Sequence, residues 1–220
     1  MTEFNTDLAR YNMIEQQIRP WDVLDPTVLE VIATTPRERF VPKDYLNLAF
    51  TDTQIPLAHG QSMLEPKLEG RILQALQINP TDRILEIGTG SGYLTACLAK
   101  LGQQVVSVDM FADFSQSTQQ QIAGLGLDNV QFQVGDAALG WKQDGNFDVI
   151  LISGSLPMPQ LAFQESLNVG GRMFVVIGND LLMDAQLVQR VSSDAWSTES
   201  LFETNIPALL NAEKPQAFVF

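Results

Sequence analysis

The 220-residue sequence contains little cysteine and few basic residues. Its single cysteine, Cys97, excludes an internal disulfide and any zinc site built from several cysteines, and no metal site is predicted. Lysine and arginine number 13 against 26 acidic residues, and the net charge of -13 argues against a nucleic-acid partner, which requires a basic face. The chain lacks an apolar run of about 18 residues. It also lacks a basic N-terminal segment followed by an apolar one, so we expect a soluble, cytoplasmic protein with no membrane partner.

Apolar periodicity predicts one domain with three consecutive segments. Residues 1–78 read as a helical segment, residues 79–178 as an α/β core, and residues 179–220 as antiparallel strands. In the core, strands are predicted at 83–87, 104–108, 130–134, 147–153 and 171–177, and helices at 92–100, 112–124 and 159–167. A hairpin is predicted from 187–191 and 196–202. Strands separated by helices pair in parallel, so we predict a doubly wound α/β fold with a mostly parallel sheet.

Three helices are predicted in the N-terminal segment. The first, over residues 6–18, has apolar residues close to helical spacing, at Leu8, Tyr11, Ile14 and Ile18. Asp25 followed by Pro26 marks the start of the second helix, since aspartate caps helices and proline fits the first turn. Pro66 marks the start of the third.

A glycine-rich turn follows the first predicted core strand, which carries Glu86 near its end. The turn consists of Gly88, Thr89, Gly90, Ser91 and Gly92. Glycines there let the backbone approach a ligand closely. A dinucleotide-binding motif would have its third glycine at Tyr93, and a P-loop would end in Gly-Lys-Ser/Thr, so both are disfavoured. The alternating glycines resemble instead the first motif of S-adenosylmethionine-dependent methyltransferases.

Acidic residues end three successive predicted strands: Glu86, Asp109 and Asp136. Each has an alternative role, as a helix-dipole partner for Glu86 and as a local cap for the other two. Together they favour a ligand beyond the carboxyl ends of the strands, with Asp109 on ribose hydroxyls and Asp136 on the adenine amine. An acidic rim suits the positive charges of S-adenosylmethionine. The predicted cofactor-binding residues are Glu86, Gly88, Thr89, Gly90, Ser91, Gly92, Tyr93, Asp109, Met110, Asp136 and Ala137.

Motifs spread along nearly the whole chain carry a more specific resemblance. They are Thr35–Pro42, Ile55–Ser62, Ile84–Tyr93, Gly135-Asp136, Phe147–Ile150, Gly170-Gly171 and Ile206–Leu209. In these segments the chain resembles protein-L-isoaspartate O-methyltransferases. The resemblance implies a Rossmann-like methyltransferase fold and S-adenosyl-L-methionine as cofactor. It also implies methylation of the misplaced carboxylate of isoaspartyl residues in damaged proteins, which starts their repair through a succinimide.

The chain departs from that family in the loop expected to contact the acceptor. The family reads Gly-x-Thr-x-Ser-x-Pro there, and its serine contacts the substrate carboxylate. Here Leu64 stands at the serine position and Ser62 at the threonine position. Either Ser62 takes over the contact, or the acceptor differs, or the chain binds the cofactor without transferring methyl. His59 in this loop is interpreted as a loop residue rather than a general base, because a carboxylate acceptor needs none.

Overall fold

The computed structural model describes residues 5–179 and 182–215. The α-helices are α1 (Thr6–Met13), α2 (Pro26–Thr34), α3 (Pro66–Leu76), α4 (Tyr93–Leu101), α5 (Ala112–Ala123) and α6 (Leu161–Glu165). The β-strands are β1 (Ile55–Pro56), β2 (Ser62–Met63), β3 (Arg83–Ile87), β4 (Gln104–Asp109), β5 (Val130–Val134), β6 (Phe147–Leu156), β7 (Leu167–Asn179), β8 (Leu182–Arg190) and β9 (Trp196–Thr204). Short 3₁₀ turns occupy residues 37–40, 43–48 and 58–60.

The first helix differs from its prediction. Helix α1 continues through a π-helical turn, Ile14–Ile18, and a 3₁₀ turn, Arg19–Trp21. Ile14 and Ile18 are buried, but Leu8 is 53% and Tyr11 60% exposed, so the four apolar residues at helical spacing do not form one buried face. A π turn closes over five residues instead of four. The residues that point to the core before and after this turn therefore do not follow a single 3.6-residue repeat.

The starts of α2 and α3 are as predicted. The Asp25 carboxylate accepts hydrogen bonds from the backbone amides of Thr27 (2.7 Å) and Val28 (3.2 Å), and Pro26 occupies the first turn. Pro66 likewise begins α3. The Asp25 cap satisfies amides of α2 that have no partner inside the helix.

A seven-stranded sheet forms the centre of the molecule, in the order β5-β4-β3-β6-β7-β8-β9. The first five strands in that order pair in parallel, and β8 and β9 add antiparallel pairs. This confirms the predicted α/β class with C-terminal antiparallel strands. Helix α6 is shorter than the predicted 159–167, because Leu167 already pairs with Phe147 in the sheet.

Alternate residues of the strands pack on opposite faces of the sheet. Ile84 belongs to the larger hydrophobic cluster, with residues from α1 to α5, whereas Leu85 belongs to a second cluster that includes Phe163 of α6. Both faces are therefore covered, as expected of parallel strands. The larger cluster joins the N-terminal helices to the sheet, which supports a single domain; the boundaries at residues 78 and 178 stay predictions. Within the described residues, no helix is long and apolar enough to cross a membrane.

Candidate active site

The glycine turn lies at the carboxyl end of β3 and folds as its sequence predicts. Gly88 and Gly92 have positive φ angles, 93° and 86°. A Cβ atom on Gly88 would lie 2.3 Å from Ser153 Oγ, and one on Gly92 would lie 2.4 Å from Thr118 Cγ2. Any side chain at either position would thus meet both backbone strain and a clash.

A cleft of about 710 Å³ opens beside this turn, at the carboxyl ends of the central strands. Eight predicted site residues line it: Ser62, Leu64, Gly88, Gly90, Asp109, Met110, Asp136 and Ala137. Residues of the predicted acceptor loop and predicted cofactor residues therefore line the same cleft.

Asp109 faces the glycine turn from the end of β4. Its Oδ2 accepts a hydrogen bond from Gly90 N at 3.0 Å, and its Oδ1 accepts one from Phe111 N at 2.9 Å. Burial raises the pKa of Asp109, while these backbone hydrogen bonds act in the opposite direction. Each carboxylate oxygen retains a lone pair for a ligand. The local cap and the ligand role are thus compatible.

Five predicted cofactor residues do not line the cleft: Glu86, Thr89, Ser91, Gly92 and Tyr93. Tyr93 is 1% exposed and points into the core, where the Arg37 guanidinium lies 5.0 Å from its ring centroid. A pocket-lining role for Tyr93 receives no support from this placement. The cofactor roles of the other four stay predictions.

Glu86 is fully buried beneath the turn. Its Oε2 accepts hydrogen bonds from Thr95 Oγ1 and Ser107 Oγ, both at 2.6 Å, and Ser107 Oγ also lies 2.7 Å from Thr89 Oγ1. Its Oε1 is buried and has no hydrogen-bond partner among the described residues. Burial raises the pKa of Glu86 to about 7; the two hydroxyls oppose this change and the charge of Asp109 adds to it. Glu86 is therefore a carboxyl group without a cationic partner.

The acceptor hairpin consists of β1, β2 and the residues up to Leu64. Ser62 Oγ lies 3.4 Å from Gln54 Oε1, at the limit of a hydrogen bond. Leu64 is 5% exposed, and its carbonyl accepts a 2.7 Å hydrogen bond from the buried Arg37 guanidinium. Arg37 also forms a buried ion pair with Glu69. The conformation of the backbone at Leu64 is thus fixed from inside the protein.

A second segment, residues 206–211, covers the other side of the cleft. Leu209 N donates to Ser155 O at 2.9 Å, and Gly154 permits this approach, since a Cβ there would lie 2.7 Å from Leu209 Cδ2. Asn211 Nδ2 donates to Asp136 Oδ2 at 2.8 Å. Asp136 Oδ1 accepts from Ala138 N at 3.0 Å, which is the local cap anticipated for it. An adenine amine would therefore have to share Asp136 with Asn211.

Sequence reasoning missed several residues that line the cleft. They are Gln61, Ile87, Val108, Phe111, Phe114, Gly135, Ala138, Ser153, Gly154 and residues 207–210. A signal was available for Gln61, Gly135 and residues 207–209, because Ile55–Ser62, Gly135-Asp136 and Ile206–Leu209 were among the motifs that carry the family resemblance. No sequence signal pointed to Phe111 or Phe114 apart from their position shortly after Asp109. Within residues 5–179 and 182–215, no cluster of three or more histidine, cysteine or acidic side chains is arranged to hold a metal ion.

Comparisons with known proteins agree with this geometry. The sequence model of the "Protein-L-isoaspartate(D-aspartate) O-methyltransferase" family matches residues 9–209. A protein-L-isoaspartate O-methyltransferase of Syntrophus aciditrophicus is 35% identical over 84% of this chain and 85% of its own length. One from Myxococcus xanthus is 39% identical over 71% of this chain and 74% of its own length.

Solved structures show the same fold. A Plasmodium falciparum structure, described as a protein-L-isoaspartate O-methyltransferase in complex with S-adenosyl-L-homocysteine, superposes with a TM-score of 0.76 at 19% identity. The superposition covers 94% of this chain and 99% of that one. A second protein-L-isoaspartate O-methyltransferase structure gives a TM-score of 0.77 at 23% identity, covering 90% of this chain and 65% of that one. The predicted Rossmann-like methyltransferase fold is therefore confirmed.

Proposed function

The chain belongs to the protein-L-isoaspartate(D-aspartate) O-methyltransferase family, and on this premise we propose that it methylates isoaspartyl carboxylates of damaged proteins with S-adenosylmethionine as methyl donor. The observation that carries the proposal is the shared cleft. It places the acceptor hairpin, with Ser62 and Leu64, against the glycine turn and Asp109.

The residues of the cleft fit this cofactor. Gly88 and Gly90 present bare backbone, and Asp109 offers a partly buried carboxylate opposite them. A carboxylate can accept both hydroxyls of a ribose, and negative charge on this wall suits a ligand that carries a sulfonium and an ammonium group. Phe111, and Leu209 of the 206–211 segment, supply apolar surface to the cleft.

When bound, S-adenosylmethionine supplies an electrophilic methyl group. The chain's own contribution is to hold the acceptor carboxylate in line with it and to exclude water. An isoaspartyl carboxylate is ionised near neutral pH, so no residue has to remove a proton from it. His59, whose Nε2 lies 2.9 Å from Asp113 Oδ2, is therefore not needed as a base for this step. Positioning by the hairpin is therefore the contribution expected to matter most.

A second candidate is a methyltransferase for another acceptor. It is favoured by Leu64, which lines the cleft and has a side chain that cannot donate a hydrogen bond. The Ser62 hydroxyl faces Gln54 Oε1, and the Gln54 amide is oriented by its Nε2, which donates to Asn205 O at 2.9 Å. With Gln54 in this orientation, its oxygen competes with an acceptor carboxylate for the Ser62 proton.

The test uses an isoaspartyl peptide, the same peptide with normal aspartate as control, and labelled S-adenosylmethionine. We expect a base-labile methyl ester on the isoaspartyl peptide only. Two variants separate the candidates: Leu64→Ser adds the family hydroxyl, and Leu64→Ala removes the same side chain without adding it.

Activity of the parent protein on the isoaspartyl peptide supports the proposal. If the parent is inactive and only Leu64→Ser methylates the peptide, the acceptor has changed. If all three proteins bind S-adenosylhomocysteine and none forms ester, the chain binds the cofactor without methylating this peptide, and the proposal is wrong.

A further inference from the structure

The side chain of His59 connects the tip of the acceptor hairpin to the cofactor side of the cleft. Its Nε2 lies 2.9 Å from Asp113 Oδ2 and 3.1 Å from Asp113 Oδ1. Its ring stacks on Phe111, with centroids 4.0 Å apart and planes 5° from parallel, and meets the edge of Phe114 at 5.5 Å. Three residues at the start of α5 thus surround one side chain of the hairpin.

The backbone at the tip adopts a conformation that needs such support. His59 has φ 56° and ψ 22°, in the left-handed region that only glycine enters without cost. Within the hairpin, Leu57 N donates to Gln61 O at 2.8 Å and Gln61 N donates to Ala58 O at 3.1 Å. Strained conformations persist where surrounding contacts over-determine them. The ring of His59 supplies contacts of this kind across the cleft.

The partners of His59 are part of the cleft or adjoin it. Phe111 and Phe114 line the cleft, and the backbone amide of Phe111 donates to Asp109. On the hairpin side, Ser62 follows the tip by three residues. Movement of His59 away from Phe111 would therefore separate the acceptor loop from the cofactor wall.

We propose that His59 is a positioning residue, which holds the acceptor hairpin closed over the cofactor part of the cleft through Phe111 and Asp113. The consequence of this closure for methyl transfer rests on the proposed function. The closure itself does not. The side chains of His59 and Asp113 are 38% and 59% exposed, and exposed ion pairs contribute little. The contact therefore opens readily, which lets cofactor and product exchange.

Two variants divide the contact, since one removes the whole of it and the other removes only the charge of Asp113. His59→Asn removes the ring but keeps a residue that tolerates the left-handed region, so the backbone is not strained further. Asp113→Asn removes the charge and leaves the stacked rings. Glu15→Gln is the matched control, because Glu15 forms an exposed ion pair with Arg19 in the N-terminal helical segment, and neither residue lines the cleft.

The measurements are the dissociation rate of S-adenosylhomocysteine and hydrogen exchange at the amides of Leu57 and Gln61. For His59→Asn we expect release about tenfold faster, the size of effect that one aromatic contact and one exposed pair can produce. Both amides should exchange faster, with an unchanged melting temperature. Asp113→Asn should have a smaller effect of the same sign, and Glu15→Gln none.

Unchanged amide exchange in His59→Asn would overturn the proposal. So would release of S-adenosylhomocysteine at the parent rate. If the parent does not bind S-adenosylhomocysteine at all, the proposed function is wrong, and hydrogen exchange at Leu57 and Gln61 alone still decides whether His59 holds the hairpin.

Discussion

Replacement of Glu86 by glutamine is expected to change how the stability of the protein depends on pH. The pKa of Glu86 is raised by burial from its ordinary value of 4.5 to about 7. Between these values the folded protein keeps a proton that the unfolded chain releases. Stability must therefore fall as pH rises through this window. At 1.36 kcal/mol per unit, ionisation of Glu86 costs the folded state about 3 kcal/mol above pH 7.

Glu86→Gln removes this titration while keeping an oxygen that can accept from Thr95 and Ser107. Urea unfolding of both proteins from pH 5 to pH 8 measures the difference. The free energy of unfolding of the variant, minus that of the parent, should increase by about 2–3 kcal/mol across this range. Other buried carboxyls contribute equally to both proteins and cancel. A difference that stays constant with pH would mean that Glu86 is already ionised at pH 5, and the reasoning from its burial would be refuted.

Three further substitutions test other parts of the structure. Arg37→Met leaves Glu69 buried without its cation and should lower the free energy of unfolding by about 3–5 kcal/mol in urea titrations; a loss below about 1 kcal/mol would contradict a structural role for the pair. Asp109→Ala should weaken binding of S-adenosylhomocysteine by about 1–3 kcal/mol in calorimetry, and unchanged affinity would remove Asp109 from the site. In Gly154→Ala the new Cβ would lie 2.7 Å from Leu209 Cδ2, so the 206–211 segment should be displaced, with faster hydrogen exchange at the Leu209 amide; exchange at the parent rate would show that the segment adapts.

The parallel part of the central sheet was predictable from the sequence because its strands are mostly apolar and most of them are separated by helices. Phe147–Ile152 is mostly apolar since both of its faces are covered, and Asp25 with Pro26 marks a helix start by local chemistry alone. The π turn at Ile14–Ile18 was not predictable, because no residue type marks it.

Gly88, Gly90 and Asp109 line the cleft, and the turn and strand end that carry them are encoded locally; their roles toward a cofactor stay predictions. The positions of the acceptor hairpin and of the 206–211 segment could not be predicted in this way, because they depend on contacts between distant parts of the chain. His59 meets Phe111 across 52 positions, and Asn211 reaches Asp136 across 75. Tyr93 was expected at the pocket from its neighbours in sequence, but the start of α4 turns its side chain toward Arg37 in the core.

The hydrogen bond from Arg37 to the Leu64 carbonyl has a consequence for substitutions at either residue. It holds the main chain at position 64 and makes no demand on the side chain there. On the proposed function, a substitution at this position changes what the acceptor meets while this support of the loop remains, whereas a substitution at Arg37 removes the support itself. Acceptor preference and loop conformation would then change through different positions of the chain.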